Sequence, residues 1–312
     1  MKIRFWGVRG SIAAPLSPAQ IQSKIAAAVS SISARDIESE DARQAFIANL
    51  PDYLYGTIGG NTPCLSIETE TGDKIIIDAG TGIRCCGKEY AHEKNAVYHL
   101  LFSHFHWDHI QGLPFFDPAY KPDTVLNIYS NYPNMRTFFD AQMQPPYFPV
   151  TMEAFTKHIF WHDVKDGVPF SIGGMQIMTK SMFHPGDSHS YLFVENGKRF
   201  IYATDVELQQ KDFERTDENA AFFENADVLV LDAQYTVEET AEKQGWGHSA
   251  FCYAIDFAVF WNIHHLYLFH HEPTYDDKKV YAILKSAQWY SDYVCAGKVV
   301  VHLAVEGREI DL

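Results

Sequence analysis

"SHFHWDHIQG", Ser103 to Gly112, sets three histidines and an aspartate within six positions, directly after the apolar run "VYHLLFS". Histidines also cluster on ordinary polar loops, so the stretch alone settles little. At the end of a hydrophobic strand, however, imidazoles and a carboxylate can converge on a cation, and the rest of the chain must then supply the missing ligands. Alternate side chains of an extended segment share a side, which places His104, His106 and Asp108 together, with His109 in the turn that follows.

Two neighbouring divalent ions need neutral imidazoles, with carboxylates to offset their charge. Four ligands are too few for two ions. Further candidates close other apolar runs: His184 in "SMFHPGDSHSY", Asp205 in "RFIYATDVE" and His270 in "HLYLFHHEP". Strand ends are where α/β folds present functional side chains. Singly, each is a turn or capping residue as readily as a ligand; beside the HxHxDH cluster the metal reading gains weight.

Short apolar runs rich in β-branched and aromatic residues recur along the chain, among them "KIRFWG", "KIIIDAG", "TVLNIYS", "SYLFVENGKRFIYATD", "ADVLVLDA", "HLYLFH" and "KVVVHLAVEG". They read as strands, and Asn196-Gly197 marks a tight hairpin. Helical patterns fall at about 18–49 and 133–143, after His248, and in "DDKKVYAILKSAQWYS". Strands mixed with helices define an α/β (α+β) fold. With no internal repeat or linker in view, residues 1–312 are expected to form one domain. The Ala- and Ser-rich segment 17–50 is expected to be a helical insertion, packed on the body, capping the site or forming a homodimer contact.

The chain has 312 residues, is 46% hydrophobic and carries a formal charge of −15. That balance makes nucleic acid an unfavourable partner, because nucleic-acid affinity rests on Lys and Arg neutralising phosphates. Five cysteines include the neighbours Cys85 and Cys86 and no CxxC pair, which fits a reducing compartment. No stretch approaches the roughly 18 apolar residues of a membrane span, and "MKIRFWGVRG" lacks a secretory h-region. A cytoplasmic protein acting on a small molecule is expected.

The order HxHxDH, a strand-end His, an Asp after "YAT" and a late strand-end His resembles the metallo-β-lactamase fold superfamily of metallohydrolases. The resemblance runs over nearly the whole chain and includes "DAGTG" (Asp78 to Gly82), an element that packs beside the metal centre in that family. "GGNTPC", "HWDHIQGLPFF", "HPG", "YATD", "DAQYT" and "GWGHS" are similar to the branch holding metal-dependent phosphodiesterases and the tRNA 3′-processing endonuclease ribonuclease Z. It implies a four-layer αββα sandwich of two mixed β-sheets flanked by helices. It implies two divalent metal ions, with zinc favoured over manganese or iron. His104, His106 and His184 would hold the first, and Asp108, His109 and His270 the second, with Asp205 between them. His271 is the rival to His270. His189 is expected to be a substrate contact or surface residue.

By the same resemblance a metal-bridging hydroxide would attack a phosphodiester, with His248 of "GWGHSA" as proton donor and Asp232 of "VLVLDAQYT" fixing its tautomer; the acidic balance favours a small or cyclic one. In the alternative, Asp232 caps a turn and His248 caps a helix. Ala250 stands where the endonuclease motif often has Thr, and no Lys/Arg-rich arm for tRNA is evident; both weaken a ribonuclease Z assignment. The competing functions are carbonyl hydrolysis of a thioester, lactone or lactam, oxygen or nitric-oxide reduction at two irons, and a metal-stabilised binding or sensory protein. Aromatic residues in "GLPFF" (Gly112 to Phe116) and "PPYFPV" (Pro145 to Val150) could wall a base or sugar, or simply fill the core.

Overall fold

A computed structural model describes residues 1–312. Its strands are β1 (Lys2–Gly7), β2 (Cys64–Glu68), β3 (Lys74–Ile77), β4 (Val97–Leu101), β5 (Val125–Ser130), β6 (His158–Asp163), β7 (Phe170–Ile172), β8 (Met175–Met182), β9 (Ser188–Glu195), β10 (Lys198–Ala203), β11 (Val228–Asp232), β12 (His265–Phe269), β13 (Val300–Leu303) and β14 (Glu309–Asp311). They form two seven-stranded sheets, ordered β14-β1-β2-β3-β4-β5-β6 and β13-β12-β11-β10-β9-β8-β7. In the first, β3 to β6 run parallel; in the second, β10 to β13 do. The remaining pairs are antiparallel, so both sheets are mixed.

The period of two along each strand builds three separate cores. In β10, β11 and β12, the residues Phe200, Tyr202, Val228, Val230, Tyr267 and Phe269 face the other sheet and meet Phe5, Ile67, Ile75 and Ile77 there. Their neighbours Ile201, Ala203, Leu229, Leu231, Leu266 and Leu268 point outward onto helices. On the far face of the first sheet Ile76, Leu100, Phe102 and Ile128 do the same. Each central strand is therefore apolar on both faces, which is why the sequence shows continuous apolar runs instead of alternation. Two mixed sheets with helices on both outer faces give the expected αββα sandwich.

The helices are α1 (Pro18–Ser31), α2 (Glu40–Ala48), α3 (Asp52–Tyr55), α4 (Ile83–Glu89), α5 (Trp107–Ile110), α6 (Arg136–Gln142), α7 (Asp217–Phe223), α8 (Val237–Glu242), α9 (Phe251–Phe260) and α10 (Asp277–Cys295). Helix α9 covers the second sheet through Ile255, Phe257 and Ala258, and α10 adds Val280 and Ala287. Helices α4 and α6 cover the first through Ile83, Cys86 and Phe139. None is long and apolar enough to cross a membrane.

Segment 17–50 is helical, with Ser17 capping α1 in a reciprocal box with Gln20. No residue of α1, α2 or α3 is buried, and Ile21, Ile25 and Val29 lie exposed along α1. Lys24 anchors α1 by an ion pair to the buried carboxylate of Asp277, which also accepts from the amide of Ile58.

The β9–β10 hairpin turns at Asn196 and Gly197, both at positive φ, as the Asn-Gly signal predicts. More consequential are residues within two positions of the ends of the parallel strands. Asp78 after β3, Asp205 after β10 and His270 after β12 all adopt left-handed backbone, with φ of 58°, 53° and 59°. Non-glycine residues seldom do so, and such strain concentrates at functional sites.

Candidate metal centre

Four segments, those following β4, β8, β10 and β12, meet at the carboxyl-terminal ends of their strands, and they form two ligand clusters sharing one residue. His104, His106, His184 and Asp205 converge in the first; Asp108, His109, Asp205 and His270 converge in the second. The two oxygens of Asp205 divide between them. Its Oδ1 lies 3.8 Å from His104 Nε2 and 3.7 Å from His184 Nε2, while Oδ2 lies 3.1 Å from His109 Nε2 and 3.3 Å from His270 Nε2. Asp108 Oδ2 completes the second cluster, 3.4 Å from His109 Nε2 and 3.3 Å from His270 Nε2.

The local route differs from strand alternation in one respect. The extended backbone of β4 stops at Leu101, and Asp108 and His109 sit on the single helical turn α5. That turn rotates consecutive side chains by about 100° rather than 180°, so both reach the second cluster while His106 serves the first. Tight packing fixes it: Ala79 N donates to His109 O at 2.7 Å and Gly112 N to Ala79 O at 2.8 Å. A β-carbon at Gly112 would come within 2.0 Å of Gly80 O, so only glycine allows this approach.

Four of the five histidines are oriented from behind. Nδ1 of His104 meets Ser103 Oγ at 3.1 Å, that of His109 meets Asp78 Oδ2 at 2.9 Å, that of His184 meets Gly247 O at 2.9 Å, and that of His270 meets Gln234 Oε1 at 3.0 Å. With Nδ1 as donor to these hydroxyl, carbonyl and carboxylate oxygens, Nε2 is left as a bare lone pair aimed inward. His106 is reversed, its Nδ1 lying 3.1 Å from His184 Nε2. Asp78 also accepts from Ser103 and from the hydroxyl of Tyr202, and Glu272 accepts from Gln234. The amide of Ser11, carried by the loop after β1, donates to Asp108 Oδ2 at 2.8 Å.

These donors fit divalent cations on the structure's own terms. The buried Nε2 atom of His104 has no hydrogen-bond partner in the chain, and a buried polar atom without one is costly. Burial pushes the His104 imidazole well below its ordinary range, reinforced by His109, so it presents a neutral ligand. Burial also opposes charge on His109, but Asp205, Asp108 and Asp78 outweigh it and raise its pKa well above the ordinary value. A centre that draws a proton so strongly is short of positive charge, and a metal ion competes for the same lone pair.

His248 stands beside the centre. It groups with Asp205, Asp232 and His270, its ring stacked on His270 with centroids 5.0 Å apart and edge-on to His184 at 5.2 Å. Its Nδ1 lies 2.7 Å from Asp232 Oδ2, and Asp232 Oδ1 accepts from the amides of Ser249 and Gln234. Burial lowers its pKa, whereas Asp232, by charge and hydrogen bond, and then Asp205 and Asp108, bring it up to about 9. The N-cap of α9 is Ala250, so His248 does not cap that helix. Asp232 does hold the turn, in addition to holding His248.

Each proposed ligand therefore falls in one of the two clusters, and Asp232 and His248 pair beside them. His271, the rival to His270, points elsewhere: its Nε2 donates to Ala304 O at 2.9 Å. His189 joins neither cluster and lies 3.5 Å from Asp166. Sequence reasoning missed Gln234, Ser11, Glu272 and the carbonyl of Gly247. Gln234 carried a faint signal, two residues beyond Asp232 at the end of an apolar run; a backbone carbonyl carries none.

The profile of the Beta-lactamase superfamily domain matches residues 73–271, which include every residue of both clusters. The chain belongs to this superfamily, a metallo-hydrolase fold family. Its fold is similar to that of the metallo-beta-lactamase fold protein YhfI from Bacillus subtilis, at 15% identity and a TM-score of 0.64 over 99% of this chain and 98% of that one. It is also similar to a diphosphatase from the PhnP family, at 15% identity and a TM-score of 0.62 over 100% and 97% of the two chains. Human tRNase Z, short form, aligns at 17% identity and a TM-score of 0.62 over 100% and 99%. No curated protein sequence matches the chain significantly.

Proposed function

We propose that the protein is a dinuclear metal-dependent phosphodiesterase acting on a small or cyclic phosphodiester. The observation that carries this reading is the His248–Asp232 pair set against the metal ligands. His104, His106 and His184 would hold one ion and Asp108, His109 and His270 the other, with Asp205 shared, and zinc suits this His-rich set. Bound there, two divalent ions supply Lewis acidity toward a phosphoryl oxygen and a water acidic enough to attack at neutral pH.

What the chain itself adds is the proton for the leaving group. Asp232 accepts the Nδ1 proton of His248, which leaves the second imidazolium proton on Nε2 for transfer. A departing alkoxide needs that proton far more than a thiolate does, which favours phosphodiester over thioester cleavage. His248 also borders a polar cavity of about 370 Å³ lined by Gln209, Gln210, Thr240, Gln244 and Tyr253, and a released alcohol fits there. Among the structural relatives, a diphosphatase likewise requires attack at phosphorus. The net charge of −15 supports a small substrate over a polynucleotide.

Comparing leaving groups tests the role of His248. His248→Ala should slow cleavage of an alkyl phosphodiester by about 10²- to 10⁴-fold yet barely affect release of p-nitrophenolate, which departs without a proton. An equal loss on both substrates would remove His248 as the acid.

A further inference from the structure

An aromatic cavity borders the helical turn that carries Asp108 and His109 and takes no part in the chemistry above. Trp107, Gln111, Pro114, Phe115, Tyr147 and Phe148 line most of its roughly 510 Å³, a volume within the range of small-molecule sites. Trp107 is at once a wall of this cavity and the residue between the ligands His106 and Asp108. Three of the four rings are exposed, Trp107 at 82%, Tyr147 at 78% and Phe115 at 51%, while Phe148 packs partly buried against the core and the neighbouring Leu113 and Phe116 are buried. Exposed aromatic side chains grouped around one cavity beside a reactive centre mark a binding surface rather than incidental exposure.

The lining also restricts what can enter. It includes no charged side chain, so the group it takes is uncharged. It includes two carboxamides, Gln111 and Gln142, whose Nε2 atoms donate to Thr62 Oγ1 and Ile110 O, respectively. Those bonds hold the side chains in place and leave each Oε1 as an acceptor. Flat aromatic faces beside fixed amide acceptors suit a planar heterocycle with N–H donors on its edge. We infer that this cavity receives the nucleobase of a nucleotide phosphodiester whose phosphate lies at the metal centre. The phosphate's place rests on the phosphodiesterase reading; the base's place rests on the cavity alone.

Two measurements on the full chain separate these claims. The first is binding of adenosine and uridine, which carry no phosphate, to metal-free protein, followed by ligand-observed NMR. The second is metal-loaded turnover of thymidine 5′-(p-nitrophenyl) phosphate against methyl p-nitrophenyl phosphate. Tyr147→Ala and Phe115→Ala should each weaken nucleoside binding by ~10-fold and lower the preference for the thymidine ester by a similar factor. Tyr55→Ala, an exposed tyrosine on α3, should change neither. Nucleosides that fail to bind, or bind both cavity variants as well as wild type, overturn the inference. Nucleoside binding that depends on Tyr147, without turnover of either ester, leaves the cavity assignment standing and rejects the phosphodiesterase reading.

Discussion

Gly247 supports the metal centre from a position that no side chain could occupy. Its carbonyl orients His184, and its φ of +88° lies in the left-handed region. A β-carbon there would fall 2.2 Å from His184 Nδ1 and 2.5 Å from Pro185 Cδ. Gly245 provides an internal control, because its φ is +83° but a β-carbon there would meet nothing within 4 Å. Alanine at either position carries the same backbone penalty, about 1–2 kcal/mol. Only Gly247→Ala also forces His184 away, by about 1.2 Å to regain ordinary contact distance in a close-packed interior. Losing the orientation of a ligand typically costs about 10- to 100-fold in metal affinity. Titration of metal-free protein with zinc against a chromophoric chelator, alongside thermal melts, measures both effects. A lower melting temperature for Gly247→Ala than for Gly245→Ala, because only the former overpacks its surroundings, together with one metal site weakened only in Gly247→Ala, is expected. Equal zinc affinity in the two would refute the role assigned to the Gly247 carbonyl.

Other outcomes follow from neighbouring contacts. Asp205→Ala should abolish paired metal binding, and a variant that still holds two ions per chain by elemental analysis would rule out a shared carboxylate. Asp78→Asn should weaken metal binding by roughly 10- to 100-fold, since it turns the acceptor behind His109 Nδ1 into an amide; unchanged affinity would show that the contact is dispensable. His271 provides a pH test. Burial lowers its pKa from 6.5 to about 3, despite the hydrogen bond to Ala304. The unfolded chain therefore binds a proton that the folded chain refuses, and the stability His271 contributes, complete above pH 6.5, is lost as pH falls toward 3 by about 1.4 kcal/mol per unit. His271→Gln keeps a donor for Ala304 and removes the titration, so denaturant melts between pH 7 and 4 should show a shallower decline. An identical decline would place the acid sensitivity elsewhere.

Much of this architecture was legible because its signals are local. Central strands buried on both faces leave continuous apolar runs, and ligands placed just beyond them announce themselves by residue type. The Asn196-Gly197 turn and the helical character of 17–50 were equally local. The geometry of α5 was not, since a four-residue turn is too short to display helical periodicity, and Asp108 looked like one more alternating strand position. The residues behind the ligands were hidden for another reason. Gln234 and His270 meet only because β11 and β12 are parallel neighbours, and Ser11 reaches Asp108 only because the loop after β1 pairs with the backbone at His271. Such contacts belong to topology, which the spacing along one chain does not encode. The same holds for "GLPFF" and "PPYFPV": their composition suggested either core or a binding wall, and the structure divides them, with Phe116 in the core and Phe115 and Tyr147 at a cavity.

The central claim, metal-dependent attack on a phosphodiester, is tested most directly by turnover of bis(p-nitrophenyl) phosphate as zinc or manganese is returned to metal-free protein, with a thioester and a lactam assayed in parallel. The account predicts phosphodiester cleavage that rises with metal occupancy and reaches its plateau at two ions per chain. Thioester or lactam hydrolysis with no cleavage of the phosphodiester at full occupancy would contradict it.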